Sequence, residues 1–154
     1  MISFLLILHG LAAVTLLGAL THQAISVWWP ARQRTGSFIS SVRSVPSMTY
    51  TNAVIVLFVL TAICGSIVYP EYRLSVRVAL RDYRLYVPEG LFELKEHFIS
   101  IGLGLLPAYW YYWRRANAKE GVRTRAAVTT LLAAIVWYGF LVGHVLNNIR
   151  GFGS

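Results

Sequence analysis

The chain has 154 residues, 56% of them apolar and only 13% charged, with a net charge of +8. A soluble domain carries about 25% charged residues, so the composition excludes an ordinary water-soluble fold and points to a membrane as solvent. The single cysteine, Cys64, excludes an intrachain disulfide and a cysteine-based metal centre, and is read as a small apolar packing residue.

Four apolar runs, residues 2–25, 49–69, 93–113 and 126–148, are each long enough to cross about 30 Å of hydrocarbon at about 1.5 Å per residue. They predict an all-α integral membrane four-helix bundle, up-down-up-down, forming one domain over residues 1–154. The opening MISFLLILHG has no basic residue and no small-x-small cleavage site follows it, so the first run is read as a retained helix.

Orientation is read from the loops. With four crossings both termini and the loop before the third helix share one side. That side carries Arg73, Arg77, Arg81, Arg84, Lys95 and Arg150. The opposite side carries Arg32, Arg34, Arg43, Arg114, Arg115, Lys119, Arg123 and Arg125 against one acid, Glu120. Lys and Arg favour the cytoplasm, which predicts periplasmic termini in a bacterial inner membrane. The charge then marks topology and contact with anionic lipid, and no nucleic-acid partner is expected. Trp28, Trp29, Trp110, Tyr111, Tyr112 and Trp113 near the cytoplasmic side are read as interfacial anchors, and Tyr69, Tyr72, Tyr83 and Tyr86 as their periplasmic counterparts.

The second run gives way to PEYRLSVRVALRDYRLYVPEGLFE, residues 70–93, where Arg73, Arg77, Arg81 and Arg84 recur at helical spacing among Leu74, Val78, Leu80 and Leu85. This predicts an amphipathic interfacial segment between the second and third crossings. Its basic stripe suits lipid phosphates, an acidic partner, or the propionates of a haem.

The histidines carry the functional question. His22 lies near the cytoplasmic end of the first run, within reach of headgroups. His9, His97 and His144 lie on three helices at similar depth, about 6 to 10 Å below the periplasmic surface. An imidazole in hydrocarbon needs a partner, because lipid tails offer no hydrogen bond. The layer has three readings: two imidazoles as axial ligands of one haem b, all three on a single metal ion with or without Glu93 or Glu96, or hydrogen bonding among themselves, the glutamates and Asn147 or Asn148. His9 and His22 are 13 residues apart, roughly 140° from facing the same way at about 100° per residue, so one haem near the periplasmic face is expected and not two. Glu93, four residues before His97, is placed to orient that ring, whereas Glu96 points elsewhere. Gly10, Gly18, Gly102, Gly104, Gly139 and Gly143 remove bulk around the layer, and Pro107 is expected to kink the third helix. A di-iron site is not expected, because the spacing is Glu-x-x-x-His and occurs once. Nor is there a phosphate loop, a Ser-His-Asp set or a Cys-x-x-Cys-His motif, so no catalytic residues are assigned.

The opening SFLLILHGLAAVTLLGALTHQ, with its early histidine followed by glycine and small residues, resembles the first helix of small bacterial four-helix membrane proteins of the cytochrome b561 and copper-resistance D type. The resemblance covers the four-helix layout and His9, His97 and His144. It implies haem ligation or an accessory role beside a respiratory chain. The expected function is a membrane-embedded b-type cytochrome-like subunit carrying electrons near the periplasmic face of a redox complex, with other subunits and a quinol as partners. Two further readings stay open: a cofactor-free accessory subunit, and a histidine-metal membrane enzyme or transporter.

Overall fold

A peptide group without a hydrogen-bond partner costs several kcal/mol in hydrocarbon, so long apolar runs close their backbone bonds internally as helices. The computed structural model describes residues 2–29, 48–115 and 121–151, with side chains described as far as Asn148. The described residues form α1 (Ile2–Trp28), α2 (Thr51–Glu71), a π-helical turn (Tyr72–Val76), α3 (Arg77–Asp82), α4 (Tyr86–Arg114) and α5 (Val122–Gly151), with no strand among them. The loop residues Arg32, Arg34, Arg43, Lys119 and Glu120, and the Arg150 side chain, lie outside the described residues.

Three stretches, Ile2–Trp28, Thr51–Asp82 and Val122–Asn148, are long and apolar enough to cross a membrane. Helix α4 has the length, 29 residues, but Glu89, Glu93, Lys95 and Glu96 in its first half and the Tyr–Trp run at its end lower its hydropathy. The outer faces are apolar: Phe4, Ile7, Leu11, Val56, Ile63, Ile101, Leu141 and Val145 are all exposed. Such a surface suits lipid and not water.

Residues 70–93 depart from the expected interfacial segment. Helix α2 runs through Pro70 and continues by way of the π turn into α3, so Thr51–Asp82 is one helical rod. Proline removes one backbone donor, and a widened π turn begins two residues beyond it. The rod ends at a tight reversal in which Leu85 N–H donates to Leu80 O at 2.7 Å and Arg84 N–H to Arg81 O at 2.9 Å. Arg77 then reaches Glu89 at 2.5 Å and Glu93 at 2.9 Å, and Arg81 reaches Glu89 at 2.7 Å. Arg77 and Arg81, two of the four arginines read as a lipid-facing stripe, are thus turned onto α4, where carboxylates meet them.

Around the bundle, α1 packs against α2 and α5, and α4 packs against α5 and α2. Trp28 Nε1 donates to Thr130 and Trp137 Nε1 to Thr21, so α1 and α5 run in opposite senses. Packing concentrates in one half, where Leu16, Leu20, Val54, Phe58, Leu106, Tyr109, Trp113, Leu132 and Val136 form the core. Trp113 is therefore no interfacial anchor: it is 5% exposed and donates to Thr129 at 3.0 Å. Trp28, Trp29, Trp110 and Tyr111 do face outward, with Arg114 over the Trp110 ring and Arg115 over Tyr111. Cys64 is buried. A second, smaller cluster of Leu80, Val142 and Leu146 ties α3 to α5 at the other end.

Candidate functional site

Between these two packed regions the bundle forms a partly open cavity of about 480 Å³, floored by Leu16, Phe58 and Val136. Ligand sites typically measure about 300–1,000 Å³. A neighbouring cavity of about 160 Å³ extends toward Tyr69 and Tyr72, and the two share Leu6, His9, Gly65, Lys95, Glu96, Gly143 and Asn147.

Two of the three predicted imidazoles line this cavity. His9 enters from α1, with Nδ1 3.0 Å from the Thr61 carbonyl oxygen on α2. A carbonyl only accepts, so Nδ1 carries the proton and Nε2 keeps its lone pair, the state in which a histidine binds a metal. His144 enters from α5, stacked on Phe140 at 6.3 Å between ring centroids, with its Nε2 3.3 Å from Asn148 Nδ2. His97 does not join them. It is exposed on the far side of α4, and its Nδ1 hydrogen bonds to the Glu93 carbonyl oxygen of its own helix at 2.7 Å. Glu93 thus orients His97 through its backbone, while its carboxylate is held by Arg77. His22 is at the opposite end of the bundle, paired with the Tyr50 hydroxyl.

The predicted propionate partners also lie elsewhere. Arg77 is engaged by Glu89 and Glu93, Arg73 stands 5.9 Å over the Tyr69 ring, and Arg84 is an exposed turn residue; none lines the large cavity. Beside the site, hydrogen bonds from Arg81 and then Arg77 hold the Glu89 carboxyl below the ordinary carboxylate range.

Two residues, Lys95 and Gly65, gain a role that the sequence reading did not give them. Lys95 and Glu96 line the cavity, with Nζ 3.5 Å from Oε1. Gly65 lets the His9 ring lie against α2: a Cβ at that position would stand 3.3 Å from His9 Cε1. A signal for Lys95 was present. The buried stripe Gly102, Leu106, Tyr109 and Trp113 on α4, run back at helical spacing, reaches Lys95 and leaves His97 roughly 140° from Gly102. Of the glycines singled out, Gly10, Gly139 and Gly143 line the cavity, whereas a Cβ on Gly102 would strike Phe58 Cζ at 2.5 Å, a packing role.

Among the described residues no group of three or more His, Cys, Asp or Glu side chains is arranged to hold a metal ion. What the cavity offers is two imidazoles from different helices, one with its metal-binding tautomer set, inside a largely apolar volume. Two imidazoles from different helices are the donor type that a bis-histidine macrocycle uses. Comparison of the chain with protein-family models, with curated proteins and with solved structures finds no match, so function is argued from the site alone.

Proposed function

We propose that this protein is a membrane-embedded b-type cytochrome-like subunit that holds one haem b between His9 and His144. In this reading four helices cross a bacterial inner membrane up-down-up-down, both termini are periplasmic, and the cavity lies near the periplasmic face. The observation that carries it is the convergence of the His9 and His144 rings on one cavity. Bound haem would supply one-electron chemistry, its potential tuned by its two imidazoles and by burial. This chain's residues would do the rest. The Thr61 carbonyl fixes the His9 tautomer, Gly65 sets its ring position, and the apolar floor limits the entry of water. The subunit would exchange electrons with partner subunits or a quinol.

The test is the reduced-minus-oxidised visible spectrum of protein purified in mild detergent after expression with haem available. Bis-histidine bands at about one haem per chain are expected. His9→Ala and His144→Ala should each abolish them, and His97→Ala should retain them. A colourless wild type would defeat the reading in favour of a cofactor-free packing subunit.

A further inference from the structure

Lys95 is the one lysine or arginine among the described residues that lines either cavity. Its side chain is only 14% exposed, yet its Nζ meets Glu96 at a long 3.5 Å and sits 4.5 Å from the Phe92 ring centroid. An ammonium has three N–H donors; a ring face attracts the charge but accepts no conventional hydrogen bond, and Glu96 meets one donor at most. The Glu96 side chain is 41% exposed, so it can turn toward water. Nearby Arg77 shows what saturation looks like, clamped between two carboxylates at 2.5 and 2.9 Å. A cation held in a largely apolar volume with donors to spare is unfavourable unless an anion meets it.

We propose that Lys95 is the anion anchor of the cavity, receiving a carboxylate of its occupant; for the haem proposed above, on which this assignment rests, that group is a propionate. The cation enters on α4, whereas the two imidazoles enter on α1 and α5. Three helices would then hold the group, α1 and α5 through the imidazoles and α4 through the lysine. Lys95 positions the group and takes no part in electron transfer.

Haem and its dimethyl ester separate the two ideas, because the ester keeps the iron and the macrocycle but lacks the negative charges. Both are titrated into haem-free protein in detergent, with binding followed by the visible spectrum. Wild type is expected to bind the free acid at least about tenfold more tightly than the diester, the scale of a charge-assisted hydrogen bond. Lys95→Met should lose that preference while keeping the bis-histidine spectrum, and Lys95→Arg should retain it. Equal affinity for the two forms in wild type, or an undiminished preference in Lys95→Met, would overturn the anchor and leave the haem reading standing. Binding of neither form by wild type would overturn both.

Discussion

Two glycines on facing helices separate packing from ligand placement. Phe58 is 2% exposed and packed in the core, so its ring must shift to admit a methyl group built 2.5 Å away on residue 102. Gly102→Ala should therefore cost about 1–3 kcal/mol of stability, the usual penalty for overpacking, read as a lower unfolding temperature in detergent. Gly65 borders the cavity, where the His9 ring stands 3.3 Å from the missing methyl and can shift by a few tenths of an ångström. Gly65→Ala should keep the fold and broaden or shift the visible spectrum, while Gly65→Val should lose cofactor with little change in the unfolding temperature of the haem-free protein. Equal unfolding penalties at the two sites would show that His9 is only a packing residue.

The corner joining α3 to α4 is held by charge and by a strained cap. Arg84 has φ 57, the left-handed position after a helix that glycine usually fills, and the bonds from Leu85 and Arg84 back to Leu80 and Arg81 are those of a Schellman ending. Arg84→Gly should stabilise the corner by about 1 kcal/mol, seen as slower amide exchange over residues 77–90. Glu89 supplies the charge. Because Arg81 and Arg77 lower its pKa in the folded state, the stabilisation is complete above the ordinary carboxylate range and is lost as pH falls through the depressed value. Exchange over the same residues, corrected for intrinsic rates, should accelerate in acid, and Glu89→Gln should show the fast behaviour already at neutral pH. An acid response unchanged in Glu89→Gln would place the sensitivity in another group.

Much of the fold is legible in the sequence because hydropathy alone sets where α1, α2 and α5 form: residues 2–25, 49–69 and 126–148 are expected, and Ile2–Trp28, Thr51–Glu71 and Val122–Gly151 are found. What is not legible is rotation and continuation. Whether residues 72–82 lie on a membrane or extend α2 depends on Glu89 and Glu93, which approach from a different helix. The histidine layer fails in the same way: depth along a helix can be counted from its end, but the direction of His97 is fixed by the side of α4 that packs against Phe58 and Ile135. Lys95 looks in sequence like one more loop-side charge, and only the rotation of α4 brings it to the cavity.

The whole molecule turns on whether α4 crosses the bilayer as the other three do. Its 29 residues span about 44 Å at about 1.5 Å per residue, ample for a hydrocarbon core of about 30 Å. Its polar groups are what lower its hydropathy, yet most of them are engaged within the bundle: Lys95 and Glu96 line the cavity, and Glu89 and the half-exposed Glu93 are paired with arginines. His97 does face outward, close to the polar end, with Nδ1 already bonded to its own helix. The lipid-facing side of α4 is thus more apolar than its composition, and a full crossing is the expected outcome. In a Cys64→Ala background, Tyr83→Cys before α4 and Arg115→Cys after it lie beyond the two ends of the helix. A membrane-impermeant maleimide should label Tyr83→Cys in spheroplasts and reach Arg115→Cys only after permeabilisation. Labelling of both from outside would mean that α4 does not cross, and the reverse pattern would invert the orientation.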